Sequence, residues 1–109
     1  MAMQHSTRAA LPVPPQHPNA LAIKALWREV PDLSAGMALE TKLAALRYAS
    51  AGIDPREALG RAAYESDVEG QPLYHDGQPR RAWSAIGEPE RETWRRNPTA
   101  RAFPRSVRI

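Results

Sequence analysis

The 109-residue sequence predicts an all-α fold, a small bundle of four to five short helices. Three observations carry that expectation. Apolar residues recur at i, i+3, i+4 and i+7 in several windows, and no segment alternates with the two-residue period of a half-buried strand. Alanine supplies much of the hydrophobic content, which suits close-packed helices better than a sheet sandwich. Helix-boundary residues punctuate the chain: Pro31, Gly52, Asp54-Pro55, Gly70, Glu88-Pro89 and Asn97-Pro98.

Residues 1–18 read as a flexible, proline-rich tail. Pro12, Pro14, Pro15 and Pro18 remove backbone donors and favour extended geometry. A first helix is expected from Ala20 to Val30, capped by Asn19, with Ile23, Leu26, Trp27 and Val30 as its apolar stripe. Pro31 stops it, because a residue before proline avoids the helical region. A second helix is expected from Ser34 to Ala51, capped by Asp32 or Ser34. Leu39, Leu43 and Leu46 form its stripe, and Ala35, Ala38, Ala45 and Ala49 thin the neighbouring face so that another helix can approach closely. Gly52 fits the left-handed position that ends a helix. Asp54, Pro55 and Glu57 then fit the cap, first and third positions of a third helix, in the pattern of a capping box, running to Ser66.

Residues 70–80 read as a loop with an Asp76-Gly77 turn; Pro79 argues against a hairpin there. A short helix is expected over Arg80 to Ile86 and another from Glu88 to Arg96. Trp83, Ile86 and Trp94 can then converge on the core. Residues 98–109 form a basic tail containing Arg101, Phe103, Arg105 and Arg108, giving a single domain over 19–97.

Cysteine is absent, which excludes disulfides and thiolate metal sites and suits a reducing cytoplasm. No stretch approaches the roughly 20 apolar residues of a membrane span, and no signal-peptide pattern is present. A cytoplasmic protein with no membrane partner is expected. Richness in Ala, Arg, Pro and Gly hints at a GC-rich bacterial gene. The net charge of +3 is uneven: residues 1–70 sum to −1 and residues 71–109 to +4. Such asymmetry marks an anion-facing end.

No motif of catalysis or cofactor binding is found, and no cofactor or metal is expected. Tyr74-His75-Asp76 places a histidine beside an aspartate, but adjacent residues rarely orient one another as a triad does. The chain is therefore expected to be a non-enzymatic accessory or adaptor protein that binds a larger protein. A second copy of itself is one such partner. This composition suits a modulator or inhibitor of the kind that phage- or plasmid-type elements carry. The expected surface is C-terminal and rich in arginine and tryptophan: Arg80, Arg81, Trp94, Arg95, Arg96, Arg101, Arg105 and Arg108. Those residue types dominate interface energies. The alternative is nucleic-acid binding, through phosphate contacts by these arginines or a helix-turn-helix over residues 39–66. Glu88, Glu90 and Glu92 dilute the first, and the lack of Asn, Gln or Lys on the would-be recognition helix weakens the second.

Overall fold

The computed structural model describes residues 17–99. They form α1 (Pro18–Glu29), α2 (Pro31–Ala35), α3 (Leu39–Ser50), α4 (Pro55–Gly70), a 3-10 turn (Trp83–Ala85) and α5 (Glu88–Arg96). The protein is all-α. Among the described residues the nearest approach to a sheet is one antiparallel bridge, Leu73 opposite Pro79, across a turn in which Gly77 has φ of 86°.

Several boundaries differ from expectation for local reasons. Pro18 occupies the first turn of α1, so the cap falls to His17, whose Nδ1 accepts from the Asn19 N–H at 3.0 Å. Asn19 instead donates its side-chain amide to the Ile53 carbonyl at 2.9 Å, tying α1 to the α3–α4 turn. The long second helix is two helices. Gly36 caps α2, and Ala38 is extended (φ −66°, ψ 155°), so the chain turns before α3 and drives Met37 into the core.

The end of α3 follows the expected geometry. Gly52 has φ of 98°, the Gly52 N–H bonds the Ala49 carbonyl, and the Ile53 N–H bonds the Tyr48 carbonyl. This pair of bonds is a Schellman motif, which satisfies carbonyls that a helix end leaves orphaned. Asp54 caps α4, accepting from Arg56 N–H at 3.0 Å and Glu57 N–H at 3.4 Å. The reciprocal half of the capping box does not form, because the Glu57 carboxylate is committed elsewhere. α4 also runs a turn beyond Ser66. Acidic residues oppose the macrodipole there, but Glu65 is paired with Arg61 at 2.9 Å and Asp67 with Arg80 at 3.0 Å, which offsets that cost. The expected helix over Arg80 to Ile86 shortens to the 3-10 turn.

Two apolar clusters share α4. One gathers Ile23, Met37, Ala45, Ala49, Ala58, Leu59 and Ala62 from α1, the α2–α3 link, α3 and α4. The other gathers Ala63, Tyr64, Trp83, Ile86 and Trp94 from α4, the 3-10 turn and α5. Gly60 lies where α5 crosses α4. A Cβ built there would stand 3.0 Å from the Arg95 backbone nitrogen, so the crossing depends on the missing side chain.

Candidate protein-docking face

The structure draws most of the described arginine and tryptophan residues of the expected C-terminal surface into the fold. Trp94 is buried, with its ring 5.7 Å from that of Tyr64, and Trp83 is buried 5.8 Å from the same ring. Both serve the second cluster; neither faces solvent. The Arg80 guanidinium is fully buried, 3.0 Å from the Asp67 carboxylate and stacked near the rings of Tyr64 and Tyr74. Its Nη1 donates to the Gln71 carbonyl at 3.0 Å. Arg95 reaches three carboxylates: Glu57 at 2.7 Å, Glu92 at 3.1 Å and Glu88.

Arginine enrichment thus reflects internal ionic wiring at these positions. Glu57 is the hub. It accepts from Trp83 Nε1 at 2.6 Å and Arg95 Nε at 2.7 Å. Burial alone would raise its pKa, but these two donors hold it below the ordinary value. Of the expected contact arginines, Arg81 and Arg96 remain exposed; Arg96 also lies 3.4 Å from Glu92. Arg101, Arg105 and Arg108 lie outside the described residues.

The helix-turn-helix candidate becomes α3, the Gly52 turn and α4. In this fold α4 is the central helix, packed against α1, α3, the 3-10 turn and α5. Six of its residues, Ala58 to Gly60 and Ala62 to Tyr64, are buried. Its exposed positions are Arg56, Ser66, Glu69 and Gly70.

A different surface stands out. On α3 the buried face is Thr41, Ala45 and Ala49, with Ala45 and Ala49 wholly inaccessible. These small residues let α3 lie close to α4 and α1. Of the expected leucine stripe, Leu39 is 69% exposed and Leu43 47%, whereas Leu46 is partly buried and packs against the first apolar cluster. Leu39, Leu43, Leu46 and Ser50 follow a four-three-four spacing, which aligns them along one side of the helix. Glu40 and Arg47 border this seam; among the described residues neither has an ion-pair partner.

Beside the seam runs a groove of about 310 Å³ between α3 and α4, lined in part by Leu43, Ala44, Arg47, Ala62, Glu65 and Glu69. Its rim is stabilised by Glu65, which accepts from the Tyr48 hydroxyl and from Arg61 at 2.9 Å. A shallower depression continues along Leu46, Ser50 and Ala51. An apolar ridge between two depressions is the relief into which another helix packs.

The sequence contained a signal for this face. Two small-residue runs, Ala45/Ala49 and Ala58/Ala62, match one another across the turn and compete with the leucines for the interior. Metal chemistry finds no focus here: among the described residues no group of three or more His, Asp or Glu side chains is close enough to hold an ion. No described helix is long and apolar enough to cross a membrane.

Fold and site together define a small helical protein with an aligned, outward leucine seam. No protein-family model, curated protein or solved structure matches the chain, so its functional reading rests on this geometry.

Proposed function

We propose that the chain is a non-enzymatic protein-binding module, an accessory protein whose α3 seam docks a helical segment of a protein partner. The observation that carries this reading is the inversion of α3, with alanines inside and Leu39 and Leu43 in water. Scattered exposed apolar residues are ordinary on protein surfaces. Leu21, Val30 and Leu73 are of that kind: Leu21 lies on α1, Val30 at the junction of α1 and α2, and Leu73 in the loop after α4. The α3 leucines differ because they share one face, and Leu43 lines both depressions beside it. Burying a leucine fully is worth about 1.5–3 kcal/mol, a gain the isolated fold forgoes at Leu39 and a partner would recover. The expected C-terminal arginine and tryptophan surface plays a smaller part in this reading, since Trp83, Trp94, Arg80 and Arg95 support the fold.

Site-specific photo-crosslinking tests the reading. A benzophenone amino acid at position 43, in the chain expressed in its native cells, should give a discrete polypeptide adduct. The same group at the exposed Thr93 on α5 should not, and Leu39→Glu should remove the adduct at 43. An absence of any adduct at 43, or equal labelling at 93, would sink the proposal.

A further inference from the structure

Resting on the docking role of α3, we infer that its occupant is α3 of a second copy of this chain, packed antiparallel about a two-fold axis near Leu43. The argument is charge complementarity along the seam. Glu40 lies three residues before Leu43 and Arg47 four residues after it, and both border the same flank. A two-fold axis at Leu43 therefore sets Glu40 of one copy against Arg47 of the other, twice. In an isologous contact every favourable pair is repeated by symmetry. Flanking charges of this kind fix partner choice and direction in paired helices.

The opposite flank of α3 does not offer the same match. Lys42 is turned inward, donating to Ser34 Oγ at 2.7 Å and lying 5.6 Å from the Trp27 ring centre. A parallel pairing would set the Glu40/Arg47 flank of one helix against that occupied flank of the other. The antiparallel arrangement uses the open flank of both copies. It also sets leucine against leucine across the axis, with each ridge facing the depression beside its counterpart. The seam is short, about three turns, so association is a concentration-dependent monomer–dimer equilibrium and not an obligate dimer.

Sedimentation equilibrium on the full chain, from about 5 μM to 1 mM, tests this. The wild type should shift from monomer to dimer across that range. Leu43→Glu should stay monomeric with an unchanged helical circular dichroism spectrum, and Leu43→Gln serves as a second variant if the glutamate unfolds the chain. Glu40→Arg and Arg47→Glu alone should each weaken association roughly three- to tenfold. The double swap, Glu40→Arg with Arg47→Glu, should restore it to within about threefold, because exchanging both charges rebuilds both pairs. A wild type that stays monomeric, a dimer indifferent to Leu43, or a double swap that does not recover would overturn the inference. A monomer whose position 43 crosslinks to a different polypeptide, or to this chain's own C-terminal segment, overturns the second-copy assignment alone. A monomer with no adduct at all ends the docking role as well.

Discussion

Arg80 and Arg81 are adjacent and chemically identical, yet the fold treats them oppositely. Arg80 is buried against Asp67, whose side chain is 9% exposed, while Arg81 projects outward. The Arg81 backbone, however, is fixed: its carbonyl accepts from the Tyr64 hydroxyl at 2.6 Å. Removing one member of a buried ion pair leaves the other charge uncompensated, which typically costs 3–5 kcal/mol. Arg80→Ala should therefore lower the urea-derived unfolding free energy by about 3 kcal/mol, and Arg81→Ala by less than about 0.5 kcal/mol. Arg80→Lys should recover little, since an ammonium cannot reach Asp67 and the Gln71 carbonyl while stacking flat near two tyrosines. Composition alone made these arginines look alike. Their difference depends on Asp67, Gln71, Tyr64 and Tyr74 meeting in space, which no local pattern encodes.

At the scale of elements, α5 is held by two means. Trp94 enters the aromatic cluster, and a belt of charges ties the helix to α4: Arg95 to Glu57 at 2.7 Å and Glu92 to Arg56 at 2.8 Å. Arg91 adds a link to the preceding turn, donating to the Ile86 carbonyl at 2.5 Å. The donors Arg56 and Arg95 lower the Glu92 pKa to about 2, and Arg95 and Arg91 pull Glu88 below its usual value. Carboxylates with depressed folded values stabilise the fold above the ordinary glutamate pKa of about 4.5. That contribution fades as pH falls through the folded values. Thermal stability should be flat above pH about 5 and decline between about 4.5 and 2. Glu92→Gln should lower the plateau slightly and flatten the decline, as calorimetry across that range would reveal. An unchanged slope would show that the belt is indifferent to protonation. The exposed Arg56–Glu92 pair is individually weak and screened by salt, whereas Arg95 is largely buried against Glu57. Added salt should mimic part of the acid effect.

For the whole molecule, α4 is the axis shared by both clusters, and the other helices attach to it. Local opening free energy follows buried apolar contact. Amide exchange should be slowest between Ala58 and Tyr64 and fastest in α2 and residues 71–79, where hydrogen bonding is sparse and exposure high. Equal protection across the helices would contradict this hierarchy. The elements with strong punctuation were legible in the sequence: the Schellman end at Gly52, the Asp54-Pro55 start and the Glu88 to Arg96 helix. So was the meeting of Trp83, Ile86 and Trp94. The split at Gly36 was not, because Ala35 and Ala38 are strong helix formers and the extended backbone of Ala38 is set by seating Met37 in the core. The docking face was legible only in part, through the paired alanines of α3 and α4. Hydrophobic periodicity finds a stripe but does not say whether a competing alanine stripe takes the interior. That choice rests on how closely α3 and α4 can approach, a tertiary property.

The hydrogen bond from Trp83 Nε1 to Glu57 has an optical consequence. An indole that donates to a carboxylate senses the charge of that carboxylate in its excited state. The same carboxylate holds Arg95, so protonating it or lifting α5 away would change the emission colour and quenching of Trp83. Trp27 sits in the other cluster and supplies an internal reference. With Trp94 buried on α5 in the same cluster as Trp83, these three indoles report, without any label, whether the last helix is seated.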